Sequence, residues 1–161
     1  RLGLATGFAR DVERRDSAGR PIVGADGQVL VDRVKDLPAS ERFYAGGDTT
    51  VRGFALDRLG PVDQDGFPTG GNALLIANGE LRFPLWRSLG GVAFLDGGNV
   101  FPLVDDIELG DLRGSAGFGV RYRSPVGPIR LDVGFKLDRR TSAAGTRERA
   151  YVLHISIGQA F

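Results

Sequence analysis

The run Leu112-Arg113-Gly114-Ser115-Ala116-Gly117-Phe118-Gly119-Val120-Arg121-Tyr122-Arg123 continues through Ser124-Pro125-Val126-Gly127-Pro128 into Ile129-Arg130-Leu131-Asp132-Val133-Gly134-Phe135-Lys136-Leu137-Asp138. In its first part Leu112, Gly114, Ala116, Phe118, Val120 and Tyr122 alternate with Arg113, Ser115, Gly117, Gly119, Arg121 and Arg123. Side chains on a strand point to opposite faces in turn, so this is a strand with one apolar and one polar face. The parity returns after the Pro/Gly turn, where Ile129, Leu131, Val133, Phe135 and Leu137 oppose Arg130, Asp132, Gly134, Lys136 and Asp138. A tight turn between two such runs predicts an antiparallel pair.

The same alternation extends outward. Downstream, Tyr151, Leu153, Ile155, Ile157 and Phe161 oppose Val152, His154, Ser156, Gly158 and Ala160. Upstream, Leu75, Ala77, Gly79, Leu81 and Phe83 oppose Leu74, Ile76, Asn78, Glu80 and Arg82, a second side that begins apolar and ends charged. The run 91–101 holds Gly97-Gly98, which signals a bulge or a close backbone approach. With Arg1 to Ala9, the predicted strands are about 1–9, 72–83, 91–101, 112–124, 128–138 and 150–161. Strands of about ten residues exceed the roughly five or six usual in soluble sheets and match what a tilted strand needs to cross a bilayer. The connections alternate long and short, the asymmetry of outer-membrane barrels. Alternation by itself fits a soluble sandwich equally well, with the charged face wet; strand length and loop asymmetry favour the membrane.

Composition agrees with a β-rich chain. Among 161 residues, 25 are Gly, one is Trp and none is Met or Cys, which points away from helices because Gly in a helix interior costs roughly 1 kcal/mol relative to Ala. Absence of Cys excludes disulfides and thiolate metal sites. A net charge of +1 gives no support to nucleic acid as a partner. The chain starts without Met, carries no signal peptide and has no apolar run able to span a bilayer as a helix. It reads as a processed or excised piece, or as a soluble chain.

Residues 10–71 form the longest non-periodic segment. It opens with Arg10-Asp11-Val12-Glu13-Arg14-Arg15-Asp16, and Ile22-Val23 and Val29-Leu30-Val31 flank Gly24-Ala25-Asp26-Gly27 as a small hairpin. Gly60-Pro61 and Asp65-Gly66 mark turns. Between them lies Glu41-Arg42-Phe43-Tyr44-Ala45-Gly46-Gly47-Asp48-Thr49-Thr50-Val51-Arg52-Gly53-Phe54. A disordered linker would not carry Phe43, Tyr44, Val51 and Phe54, so this loop is expected to fold back onto another surface.

These motifs carry a family resemblance. Arg42-Phe43-Tyr44-Ala45-Gly46-Gly47, Val51-Arg52-Gly53-Phe54, Gly71-Asn72 ahead of a strand ending Glu80-Leu81-Arg82-Phe83-Pro84, Phe94-Leu95-Asp96-Gly97-Gly98, and the run Gly117 to Asp132 stand in order over nearly the whole chain. Together they resemble the C-terminal barrel portion of the bacterial surface antigen, or outer-membrane assembly factor, family (BamA/TamA-like). The resemblance implies an all-β fold, the last six strands of a sixteen-stranded antiparallel transmembrane β-barrel in the bacterial outer membrane. It implies a factor that inserts or translocates proteins, with outer-membrane lipids, unfolded outer-membrane protein or autotransporter substrates, and accessory assembly-complex subunits as partners. The chain departs from the family in lacking the first ten strands and the periplasmic domains, and so is read as a fragment.

In the family the loop with the Val-Arg-Gly-Phe motif enters the barrel lumen and its Arg meets acids on the wall. Carried over, Arg52 would lock onto Glu80 and Asp96, flanked by Val51, Gly53 and Phe54 and supported by Phe43, Gly46 and Gly47. The physics stands by itself, since a guanidinium forks onto carboxylates and Gly53 permits close backbone approach. The bland alternative is a solvated Arg52 with both acids facing lumen water. The terminal Ser156-Ile157-Gly158-Gln159-Ala160-Phe161 resembles the targeting signal of outer-membrane barrels, with Gly158 and Phe161 at a weakly paired seam. An ordinary last strand is its alternative.

No catalytic residue, metal site or cofactor is expected. Glu80 and Asp96 as an acid/base pair lack an accompanying nucleophile or oxyanion motif. His154 is the single histidine and reads as a wall residue. Asp63-Gln64-Asp65-Gly66 lacks the remaining ligands of a calcium loop, and Gly117-Phe118-Gly119 lacks the third glycine of a nucleotide fingerprint. Two other functions stay open at this level: a passive outer-membrane channel or structural barrel, and a soluble β-rich binding domain.

Overall fold

A computed structural model describes residues 1–5, 10–24, 27–34, 37–125, 127–141, 145 and 147–158. One antiparallel sheet contains, in spatial order, β1 (Leu2–Leu4), β4 (Ala73–Trp86), β5 (Leu89–Phe101), β6 (Arg113–Ser124), β7 (Gly127–Lys136) and β8 (Tyr151–Ile157). β1 and β8 lie at its two edges. Between β1 and β4 the chain makes a separate ladder, β2 (Arg10–Glu13) with β3 (Val31–Val34). Three short 3₁₀ turns complete the described structure, and no helix among the described residues is long and apolar enough to cross a membrane.

Several boundaries differ from the alternation pattern. The link expected at 84–90 contracts to Arg87-Ser88, because β4 runs on through Pro84 opposite Gly90 and absorbs the missing proline donor in a register shift between Pro84 and Trp86. Arg87 closes that turn at φ 38°. At Gly97-Gly98 the register is unbroken, and Gly98 is a close approach instead: a Cβ there would lie 2.5 Å from the Leu75 carbonyl oxygen. The stretch 10–71 is not one loop. Its first half is the β2–β3 ladder, extended by Arg15–Pro21 and Val23–Val29 bridges, and Val31 pairs with Glu13 rather than joining the small hairpin. The first strand is described to Leu4, and β8 ends at Ile157.

Register gives the sheet two unlike faces. Leu81, Leu95, Phe118 and Ile155 lie on the first, each at least 60% exposed, in an apolar belt that runs from β4 to β8. Soluble monomers rarely leave such a continuous apolar surface in water. The opposite face carries Asn78, Glu80, Asp96, Ser115, Arg121, Asp132 and His154, and the 43–71 segment packs on it. Phe43 and Gly71 exchange backbone hydrogen bonds at the root of that segment. Ala45, Val51, Phe54 and Leu59 from the loop bury against Ile76 and Val100 of the sheet, forming the hydrophobic core. This core sits toward the end of the sheet that bears the long connections, and it sets the depth at which Arg52 arrives.

Candidate functional site

Loop turns and strand parity build the site together. Gly46 and Gly47 adopt φ of 110° and 100°, Gly46 N donates to Thr50 Oγ1, and Gly47 N donates to the Phe54 carbonyl. The turn thus closed directs Val51 and Phe54, both fully buried, into the core and extends Arg52 between them toward the strands. Phe43 supports the root, its ring stacked 3.1 Å from where a Cβ on Gly3 would be.

Arg52 meets the two carboxylates at close range. Its Nε donates to Asp96 Oδ2 at 2.7 Å and its second terminal nitrogen to Asp96 Oδ1 at 2.8 Å, a two-pronged fork. The remaining terminal nitrogen donates to Glu80 Oε2 at 2.6 Å. The Arg52 backbone N–H donates to Asp96 Oδ2 at 3.2 Å, so one carboxylate fixes both main chain and side chain. Side-chain exposure is 5% for Arg52 and 0% for Asp96, which makes this a dehydrated ion pair with its hydrogen-bonding capacity largely used. Asn78 spans the same row, donating to the Thr50 carbonyl and to Asp96 Oδ1.

Sequence reasoning missed several neighbours. Asp132 places Oδ2 4.0 Å from Arg52 and is forked in turn by Arg121, whose second carboxylate neighbour is Glu80 at 3.9 Å. Phe94, on the same face of β5 as Asp96, lies under the guanidinium with its ring centroid 3.6 Å away. His154 Nε2 is 2.8 Å from the Arg52 carbonyl, and since a carbonyl only accepts, Nε2 carries the proton. Gly53 N donates to Ser115 Oγ at 3.0 Å. The signal for all of these was parity: each strand residue among them occupies the polar face, Phe94 paired with Glu80, Ser115 paired with Asp96, and Asp132, His154 and Arg121 one or two cross-strand rows further along.

Two glycines allow the contact. A Cβ on Gly53 would fall 2.4 Å from Ser115 Cβ, and one on Gly134 would fall 2.3 Å from the Arg52 carbonyl oxygen. The loop backbone therefore lies directly on the floor of the sheet.

A second ionic cluster clamps Phe54. Arg113 Cζ stands 4.5 Å and Lys136 Nζ 4.6 Å from the ring centroid. Arg113 donates to Asp138 Oδ2 at 2.8 Å and forks Glu148 at 2.9 and 2.5 Å. Burial acts to raise the Glu148 pKa, but hydrogen bonds from Arg113 and the Arg140 backbone, with the charges of Arg113 and Lys136, bring it from 4.5 down to about 2.

Elsewhere, Asp63 Oδ1 accepts from the backbone of Asp65 and Phe67, which closes a turn. No metal-holding cluster of His, Cys, Asp or Glu occurs among the described residues. Gly158 has φ 80° and donates to the Pro128 carbonyl; Phe161 lies outside the described residues.

Comparison with known proteins extends these observations. Residues 20–161 match the Omp85 superfamily domain. The chain is 34% identical over 116 residues to the outer membrane protein assembly factor BamA of Nitratidesulfovibrio vulgaris, covering 70% of this chain and 15% of that protein. It is 28% identical over 141 residues to BamA of Neisseria meningitidis, covering 67% of this chain and 18% of that one. It is 32% identical over 104 residues to the chloroplastic outer envelope protein 80 of Arabidopsis thaliana, covering 59% and 13%. In three dimensions it resembles the crystal structure of Haemophilus ducreyi BamA lacking POTRA domains 1–3, with a TM-score of 0.55 and 25% identity over 76% of this chain and 28% of that one.

Proposed function

The chain belongs to the Omp85 superfamily, and from that premise we propose that it forms the C-terminal strands of an outer-membrane barrel that assembles or translocates other proteins. The full barrel has sixteen strands, of which these are the last six, and the segment around Arg52 lies in its lumen as a lock on the wall. The polar face is the lumen wall and the apolar belt meets the lipid, the arrangement that a barrel with alternating in-and-out side chains requires. Unfolded outer-membrane or autotransporter proteins are its substrates, and other subunits of an assembly complex are its partners. The edge strand β8, ending at Ile157 and followed by Gly158, forms a weakly paired seam with the first strand of the barrel.

The buried fork of Arg52 on Asp96 and Glu80 is the observation that carries the lock. Several strands contribute to it and a loop is held down by it, which suits a barrel whose interior is closed by its own chain. A passive channel would have no use for a docked interior loop, and the packing against Val51 and Phe54 speaks against one.

The test is Arg52→Ala and Arg52→Lys in the parent protein. Truncation leaves Asp96 buried without its cation and costs on the order of 3 kcal/mol. Lysine keeps the charge but cannot fork, and recovers part of that. Assembly of outer-membrane proteins falls and protease cleavage within 43–71 rises, more for Ala than for Lys. Unchanged assembly and unchanged cleavage in both variants would sink the proposal.

A further inference from the structure

The docked loop covers only part of the polar face. Beyond Glu80 and Asp132, which stand in neighbouring cross-strand rows, and toward the short turns Arg87-Ser88 and Ser124-Gly127, the face opens into a cleft of about 790 Å³. Arg82, Arg87, Arg121, Arg123 and Arg130 line it. Their neutralisation is incomplete. Arg82 reaches Glu80 at 2.5 Å, Arg121 forks Asp132, and Arg130 stays 3.7 Å from Asp132. Arg87 and Arg123 have no carboxylate partner among the described residues. Glu80 is already taken up by Arg52 and Asp132 lies 4.0 Å from it, so the two acids bordering the cleft are shared with a further cation. The Nε of Arg130 is buried with no hydrogen-bond partner, a donor that the described residues do not satisfy.

We infer that this cleft is a binding site for a carboxylate-bearing polypeptide, an acidic peptide segment that approaches from the short-turn end of the barrel. Guanidiniums match carboxylates in fork geometry, and an orphaned buried Nε gains most from an anionic acceptor. Position excludes lipid headgroups as the source of the anion: Arg82, Arg121, Arg123 and Arg130 share the face of Glu80 and Asp132, opposite the apolar belt. Pro84, Val92 and Pro128 give the cleft apolar surface between its cations, which suits a peptide better than a small inorganic anion. The inference rests on reading this face as the barrel interior.

The experiment uses the detergent-solubilised parent protein and a fluorescent peptide of alternating Glu and Gly, with its Gln/Gly counterpart as control. Saturable binding is expected for the acidic peptide only, weakened about tenfold or more by joint Arg123→Gln and Arg130→Gln and only partly recovered by Arg→Lys at both positions, since lysine keeps the charge but cannot fork. Equal binding of both peptides, no effect of the Gln pair, or full displacement by inorganic phosphate at matched charge would overturn it. A photo-crosslinker at position 124 identifies the source. Adducts to an acidic segment preceding the barrel, or to an acidic stretch of a second polypeptide, support the site and separate its two origins. Adducts only to other barrel strands overturn it, since the arginines are then neutralised by the wall. Binding without assembly activity defeats the functional proposal alone, and assembly without binding defeats this inference alone.

Discussion

Replacing Gly134 by Ala probes loop docking without touching a charge. The new Cβ would lie 2.3 Å from the Arg52 carbonyl oxygen, 2.5 Å from its carbonyl carbon and 2.8 Å from Gly53 N. These are main-chain atoms, so no side chain can swing aside, and the loop must lift by about 1 Å to reach ordinary contact. That displacement falls on the His154–Arg52 carbonyl bond, the Gly53–Ser115 bond and the Arg52 N–Asp96 bond. Overpacking costs about 1–3 kcal/mol and each of the three hydrogen bonds about 1 kcal/mol, so docking loses roughly 4–6 kcal/mol if all three are broken. The strand itself should accept Ala, because Gly134 is not in the left-handed region. Limited proteolysis of 43–71 in the folded parent is the assay, with β4 to β8 expected to stay resistant. If Gly134→Ala leaves the cleavage rate of 43–71 as in the wild type, the close docking described here is wrong.

Acid should loosen the clamp around Phe54. The Glu148 pKa is lowered in the folded chain, so its contribution is complete above the ordinary value of 4.5 and is lost as pH falls toward about 2. Amide exchange at Glu148, whose N–H donates to the Arg140 carbonyl, should accelerate over that window beyond its intrinsic pH dependence, and Glu148→Gln should abolish the acid-induced change. At the proposed seam, a disulfide joining β8 to the first barrel strand should block substrate assembly in the parent and reduction should restore it; assembly that continues in the locked protein would refute a gating seam.

The all-β antiparallel architecture was legible because alternation along 112–138 is nearly unbroken and the polar and apolar sets never exchange faces. The ends were less so. Pro84 looked like a terminator, but a proline can sit in a strand next to a bulge, and β4 continued to Trp86. The β2–β3 ladder escaped notice because its two strands are four residues each and too short for alternation to register. At the site, Glu80 and Asp96 came from the family resemblance together with strand parity. Asp132 and Arg121 had the same parity and were passed over, since which polar-face residues meet a loop depends on register across several strands. His154 was read as a wall residue; its bond to a loop carbonyl is a contact between residues 102 apart, which no local pattern encodes.

The loop and the cleft share carboxylates, so they should be coupled. With Arg52 docked, Glu80 and Asp132 are partly neutralised by it and the cleft keeps its positive excess. With the loop withdrawn, both acids are left to Arg82, Arg121 and Arg130, and the attraction for an acidic peptide falls. Reciprocity then requires the bound peptide to favour the docked loop by the same factor. Carboxylate–guanidinium coupling through partly exposed groups at an effective dielectric of about 20 amounts to about 1 kcal/mol or more over the distances involved, a shift of at least about fivefold. Saturating acidic peptide should therefore slow cleavage within 43–71 in the wild type by that order, and Arg52→Ala should bind the peptide more weakly and gain no protection from it. If peptide binding proves indifferent to residue 52 while the peptide still binds, the shared-carboxylate argument fails and the two regions of the polar face act independently.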